Sequence, residues 1–293
     1  MDIGIGLPAT IPGVDRDALL GWARRAEERG FSSLATIDRL VYPNYEPLVA
    51  LGAAAAVTER IRLMTDVLLV PWRNNPALVA KQAATVDSIS GGRLTLGVGL
   101  GAREDDYQAG GVPLERRGQL MDEALSTMRQ AWAGDAVKGV GPVGPPPARS
   151  GGPELLVGGS VDASLHRAVE YGDGWTQGGN TPDNFKQTRE KLLAKWSEAG
   201  REGEPRTVAL CYFSLGDRAR ETADEYIHDY YGWLGDMADQ IAQSVVVDAG
   251  MAGQYRDGFA AAGADELVYF PCSDEVEQVG LLAEALDLAP VGA

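Results

Sequence analysis

The sequence predicts an α/β chain whose strands and helices close into a (β/α)8 barrel. Three observations carry this expectation. Strand and helix signals alternate from one end of the 293 residues to the other, the order that builds parallel sheets. The candidate strands are short apolar runs rather than in–out alternations, as expected of parallel strands covered on both faces. Residues 60–101 hold one complete strand–helix–strand unit with its punctuation in place.

In that unit an apolar strand spans 61–70 and the polar loop Trp72-Arg73-Asn74-Asn75 follows. A helix over 76–89, a Ser90-Gly91-Gly92-Arg93 turn and a second strand over 94–98 complete it. The remaining strands are predicted at 2–6, 33–37, 154–157, 174–177, 207–215 and 266–270. Amphipathic helices lie between them. Leu19, Trp22, Ala23 and Ala26 hold the i, i+3, i+4, i+7 spacing, Val79, Gln82, Ala83 and Val86 hold it with one polar exception, and Met121, Ala124, Leu125, Met128 and Trp132 continue it. Gly30 and Gly200 stand where a helix C-cap needs a left-handed residue, and Thr181-Pro182-Asp183 reads as N-cap, N1 and N2. Eight such units in one run favour a single barrel domain over 1–293. The alternative, a doubly wound open sheet, usually carries a glycine fingerprint in its first strand–helix turn. Gly4-Ile5-Gly6-Leu7-Pro8 lacks the third glycine and runs into proline.

Two segments break the rhythm. From 139 to 153, ten of fifteen residues are Gly or Pro, so neither helix nor strand persists. A surface loop at the barrel bottom or an ordered edge is expected there. The stretch 226–249 reads as an extra helical excursion. Its Tyr226, Tyr230, Tyr231 and Trp233 suit a lid or substrate wall, or equally a helix packed outside the barrel.

A hydrophobic content of 45% supports a large core, and a formal net charge of -16 argues against binding a phosphate backbone. No basic, apolar leader and no bilayer-length apolar run is visible, so no membrane association and a cytoplasmic setting are expected. Cys211 and Cys272 fall in separate strand-like segments without metal spacing and read as buried thiols.

In a barrel, chemistry gathers at the C-terminal ends of the strands. The polar residues expected there are Asp38-Arg39 after strand two, Asp66 within strand three, Arg73 and Asn74 after it, and Arg103, Glu104 and Asp105 after strand four. Gly158-Gly159-Ser160 follows strand five and Gln177-Gly178-Gly179 follows strand six. Each glycine loop leaves a strand and enters a helix, the arrangement in which backbone N–H groups and a helix N-terminus receive a phosphate. Gly97-Val98-Gly99-Leu100-Gly101 reads as close packing at the barrel mouth, with 99–101 leaving room for a ligand. Lysines fall on helices or loops, His166 and His228 lie in helical stretches, and no triad is apparent. Schiff-base, metal and triad chemistry are therefore disfavoured, and an organic cofactor is the natural source of reactivity.

The chain resembles the luciferase-like monooxygenase superfamily. The resemblance rests on Asp87-Ser88-Ile89-Ser90-Gly91-Gly92-Arg93 with Leu96-Gly97-Val98-Gly99-Leu100-Gly101, on Gly110-Gly111-Val112-Pro113 with Arg116-Arg117-Gly118, on Gly158-Gly159-Ser160, and on Gly172-Asp173-Gly174-Trp175. It implies a barrel holding the 5-deazaflavin coenzyme F420, or alternatively FMN, at its C-terminal mouth. The phosphate would rest on Gly158, Gly159, Ser160, Gln177, Gly178 and Gly179. The ring would lie against a strand-three bulge with a non-proline cis peptide, matched here by Asp66-Val67. The implied activity is hydride transfer to or from a small organic substrate, with FMN-dependent monooxygenation using oxygen as the alternative. Arg73, Asn74 and Trp233 would meet the substrate, and a homodimer is expected.

One departure stands out. Many deazaflavin members carry Asp-His after strand two, and this chain has Asp38-Arg39. Arginine stays protonated and cannot shuttle a proton. It can hold an anion or stabilise developing charge, or simply pair with Asp38 at the rim. Asp38, Arg39 and Glu104 are the candidate catalytic residues, with Asp38, Glu104 and solvent as proton donors. Two further readings stay open: a cofactor-free barrel enzyme acting on a phosphorylated metabolite through Asp38 and Asp66, and a non-catalytic ligand-binding member.

Overall fold

A computed structural model describes residues 1–178 and 181–291. Its strands are β1 (Asp2–Gly6), β2 (Ser33–Thr36), β3 (Arg62–Leu69), β4 (Leu94–Gly99), β5 (Glu154–Gly158), β6 (Gly174–Gly178), β7 (Arg206–Phe213) and β8 (Glu266–Pro271). They form a closed barrel in sequence order, each parallel to the next, and β8 closes on β1. The chain is therefore a (β/α)8 barrel, and the open sheet is excluded. The surrounding helices are α1 (Arg16–Glu28), α2 (Pro47–Ala55), α3 (Pro76–Ser90), α4 (Glu104–Ala109), α5 (Arg117–Trp132), α6 (Asp162–Tyr171), α7 (Pro182–Glu198), α8 (Ala219–Tyr231), α9 (Asp236–Ser244), α10 (Ala249–Ala261) and α11 (Glu277–Ala285).

The core fills the layer between strands and helices. Leu19, Trp22, Ala23 and Ala26 of α1 and Met121, Ala124, Leu125 and Met128 of α5 are buried, as their helical spacing predicts. Asn75 caps α3 through its side chain and Gly91 ends it at a φ of 71°, so residues 71–93 take the predicted loop, helix and turn. At the barrel bottom, fully buried Glu266 is held by Arg206, Arg62 and Ser33. The Gly/Pro-rich segment runs over this same end. Ala148 N–H donates to Asp87 and the Lys81 ammonium to the Gly144 carbonyl, so the segment is tied onto α3.

The excursion after β7 consists of α8 and α9, and it folds over the C-terminal end of the barrel rather than along its side. Tyr226 and Tyr230 are buried against β7 and β8 residues such as Tyr212 and Phe270. Ala54 and Ala55 of α2 are buried in the core. Among the described residues, no helix is long and apolar enough to cross a membrane.

Candidate active site at the barrel mouth

Strand β3 shapes the site. Its register against β4 shifts between Thr65 and Leu68, and the Asp66-Val67 peptide is cis, as the resemblance implies. Small neighbours make this bulge possible. A Cβ on Gly97 would lie 2.2 Å from the Thr65 carbonyl oxygen, one on Gly99 2.5 Å from Val67 Cγ2, and one on Gly158 3.0 Å from Val67 Cγ1. At Gly101 the Leu69 side chain takes the space, with Cδ1 3.0 Å away. The glycines of β4 therefore accommodate the bulge and Leu69. They do not leave room for a ligand at 99–101, which corrects that part of the sequence reading and bears out close packing at the mouth.

Above the bulge lies a cavity of about 650 Å³. Ile37, Asp66 and Gly178 line it from the strand ends, and Tyr231, Met237 and Gln240 line it from the excursion. The excursion thus forms a wall of this cavity. Asp66 is buried, its Oδ1 accepts a hydrogen bond from the Thr176 hydroxyl at 2.6 Å, and its Oδ2 has no partner among the described residues. Burial drives its pKa up to about 7, against the opposing hydrogen bond from Thr176. Thr36 Oγ1 on the adjacent strand β2 and Gln177 Oε1 on β6 are likewise buried and unpartnered. Buried polar atoms are normally paired, and Asp66, on the cavity floor, offers an unpaired oxygen to a polar ligand. Tyr212 and Tyr231 share a hydroxyl–hydroxyl bond of 2.8 Å at the same cavity, and burial raises both pKa values.

The phosphate loops differ from one another. Gly158 ends β5, Gly159 has a φ of 119°, and Ser160 is exposed. The Gly159 carbonyl is fixed by Trp175 Nε1 at 2.6 Å. No side chain caps α6, which leaves its first amides available to an anion. Helix α7 is already capped by Thr181, whose Oγ1 accepts from Asn184 N at 3.3 Å. Gln177 and Gly178 end β6 beside the α6 loop, while the predicted Gly179 lies outside the described residues. The donor set fits a phosphate-bearing ring cofactor: an uncapped helix start for the phosphate, and unpaired polar atoms beside an apolar bulge for the ring.

The rim residues do not act together as the sequence suggested. Asp38 and Arg39 do not pair with each other. The Asp38 carboxylate is 1% exposed and accepts from Arg73 and from Leu69 N, both at 2.9 Å. Burial raises its pKa, with Arg73 opposing. Arg73 also pairs with Glu46 at 2.8 Å and covers the Trp72 ring. Asp38 and Arg73 therefore form an enclosed brace for the end of β3, correcting their assignment as proton donor and substrate contact. Asn74, at a φ of 57°, donates to the Gly110 carbonyl and lines an outer groove with Leu78 and Gln82, so it too stands apart from the mouth cavity. Arg39, Glu104 and Trp233 meet at a second cavity with Arg103, Asp105, Asp229 and Tyr230. Sequence reading placed Arg103 at a strand end without a role and did not foresee that Tyr212, Met237 and Gln240 share the mouth with Asp66. Those three come from β7 and α9, and nothing local marks them.

A profile described as luciferase-like monooxygenase matches residues 1–267. The chain belongs to this family. An uncharacterized protein of Mycobacterium tuberculosis is 32% identical over 237 residues, covering 71% of this chain and 81% of the relative. Two solved structures share the fold. An F420-dependent secondary alcohol dehydrogenase, in complex with an F420-acetone adduct, has a TM-score of 0.78 at 21% identity over 97% of this chain and 98% of that one. The oxygenating constituent of 3,6-diketocamphane monooxygenase from Pseudomonas putida, in complex with FMN, has a TM-score of 0.72 at 17% identity over 100% and 97%. At these identities the likeness speaks for the barrel. By their descriptions one of these two proteins is F420-dependent and the other is in complex with FMN.

Proposed function

We propose that the chain is an oxidoreductase that moves a hydride between coenzyme F420 and a small organic substrate in the mouth cavity. The observation that carries this reading is the cavity floor, where the buried carboxyl of Asp66, with one oxygen unpartnered, sits on the β3 bulge two strands away from the uncapped start of α6. The resemblance ties this bulge to deazaflavin members, and that supports the choice of F420 ahead of FMN. When bound, the coenzyme supplies the hydride-carrying ring.

The protein's part is binding, orientation and protons. The α6 amides and the Gly158-Gly159-Ser160 turn would hold the phosphate, with Gln177 and Gly178 alongside. Val67 would back the ring. The excursion narrows the cavity and limits water. Among the groups lining the cavity that carry a proton near neutral pH are Asp66, whose pKa is raised to about 7, and the Tyr212–Tyr231 pair, whose pKa values burial raises. Either can protonate the oxygen of a carbonyl as hydride reaches its carbon. A homodimer belongs to the same reading, and light scattering on purified protein tests it.

Titration of the purified chain with F420 and with FMN, followed by fluorescence, tests the proposal. F420 is expected to bind with a Kd below about 100 μM, or about -5.5 kcal/mol. Binding of neither coenzyme sinks the reading, and preferential FMN binding with oxygen-dependent turnover moves it to the monooxygenase alternative.

A further inference from the structure

The second cavity, of about 300 Å³, lies against the first, separated from it by consecutive tyrosines: Tyr231 lines the larger and Tyr230 the smaller. Its floor is Arg103, which leaves the loop after β4 and is only 9% exposed. Among the described residues Arg103 makes no ion pair. One guanidinium nitrogen donates to the Tyr230 carbonyl at 2.8 Å. The group is otherwise surrounded by aromatic faces, 4.7 Å from the Tyr230 centroid, 4.8 Å from Trp233 and 5.7 Å from Tyr231.

The neighbouring acids are engaged elsewhere or turned to solvent. Asp105 pairs with Arg39 at 3.0 Å, Asp229 accepts from the Tyr42 hydroxyl, Glu104 is exposed at the start of α4, and buried Asp106, whose charge acts on Arg103 without an ion pair, accepts from Leu40 N and Val41 N. A guanidinium has five N–H donors in a planar fork, and here the protein satisfies one of them. A buried cation without a counter-anion is costly, and aromatic faces offset only part of that cost. Glu104, Asp105 and Asp229 line the cavity, yet none of them pairs with the Arg103 fork among the described residues, and Trp233, 49% exposed, stands beside it.

We propose that this cavity is a binding site for the carboxylate of a planar organic acid, gripped by Arg103 beside the half-exposed Trp233. The fork matches a carboxylate in two parallel hydrogen bonds, and the Trp233 ring offers a surface for a flat body. If the oxidoreductase reading above holds, the site anchors the substrate end remote from the reacting carbon. The site itself stands without the coenzyme, so its test and the coenzyme titration fail independently.

Benzoate and its neutral isostere benzamide are the probes, titrated calorimetrically into wild-type protein with no coenzyme. Benzoate is expected to bind at least about tenfold more tightly than benzamide, to weaken as salt is added, and to quench Trp233 fluorescence, with Trp233→Phe as the reference. Arg103→Met is expected to weaken benzoate about tenfold or more and to leave benzamide unchanged. If that variant does not fold, the wild-type comparison and its salt dependence decide alone. No benzoate binding, equal binding of the two probes, or a folded Arg103→Met variant that keeps the preference overturns the proposal.

Discussion

Replacing Asp66 with asparagine isolates the energetic effect of placing a carboxyl on the floor of the mouth cavity. The group is buried and its pKa stands at about 7 against an ordinary value of 3.8. Burial is the main cause. The Thr176 hydroxyl works against it, Glu266 adds to it and Arg206 opposes it. The folded state therefore holds a proton between about pH 4 and 7 that the unfolded chain has already released. Stability falls as pH rises through that window. Below it both states are protonated and the residue contributes nothing; above it the full penalty is present. A gap of roughly three pH units, at about 1.4 kcal/mol per unit, comes to about 4 kcal/mol. Asparagine removes the charge and keeps an oxygen to accept from Thr176. Urea unfolding of wild type and Asp66→Asn at about pH 5, 6, 7 and 8 measures the difference. The variant is expected to gain on wild type by about 1.4 kcal/mol per pH unit up to about pH 7, and then to level off. A difference that does not change across the window, or a variant less stable than wild type at pH 8, refutes the assignment of a raised pKa to Asp66.

Three other outcomes follow from the same geometry. Gly97→Ala places a Cβ 2.2 Å from the Thr65 carbonyl oxygen and is expected to cost about 2–3 kcal/mol; an unchanged urea midpoint contradicts the packing of the bulge on β4. Arg73→Met leaves Asp38, 1% exposed, without its cation and should destabilise by about 3–5 kcal/mol, with the Asp38→Asn/Arg73→Met double variant recovering most of it; equal loss in the single and double variants argues against a brace. Cys211 and Cys272 are buried, and burial raises both thiols, so a thiol-specific disulfide reagent should label them no faster than the protein unfolds. Rapid labelling of the native protein opposes that reading.

The barrel was legible because each of its units is written locally. Residues 60–101 carry a strand, an N-cap at Asn75, an apolar helix face and a left-handed stop at Gly91, all within one stretch of chain. The bulge was legible for a different reason: family likeness pointed to Asp66-Val67, and the glycines that accommodate it are part of the same quoted motifs. The rim was misread because charge near a strand end does not say what the charge meets. Asp38 and Arg73 are 35 residues apart, and nothing in either neighbourhood foretells that they neutralise each other. The wall of the mouth cavity was legible only in part: the excursion with Tyr231 reads as a lid or substrate wall or equally as an outer helix, and Tyr212 and Gln240 carry no local mark. Tyr212, Tyr231 and Gln240 come from β7, α8 and α9, and only the fold of the excursion over the barrel brings them to Asp66.

The departure at Asp38-Arg39 now has a physical sense. A histidine after β2 would bring a titrating group to the reacting face, but Arg39 is locked between Asp105 and the Tyr42 ring, with its side chain 8% exposed. It holds the rim and offers no proton. Asp38 is tied down through Oδ2, which accepts from Leu69 N and Arg73, while its Oδ1 is buried without a partner among the described residues. The proton-bearing groups that remain at the cavity lie deeper, in Asp66 on the bulge and in the Tyr212–Tyr231 pair. If the barrel transfers hydride to a carbonyl, acid catalysis has moved from the rim to these groups. The two sources are separable: an Asp66 donor predicts a rate that falls above about pH 7 as its proton is lost, whereas a buried tyrosine, its pKa raised, predicts a flat profile there. A pH–rate profile of Asp66→Asn beside wild type distinguishes them. Loss of the descending limb in the variant supports Asp66, and an identical limb in both proteins rules it out as the donor.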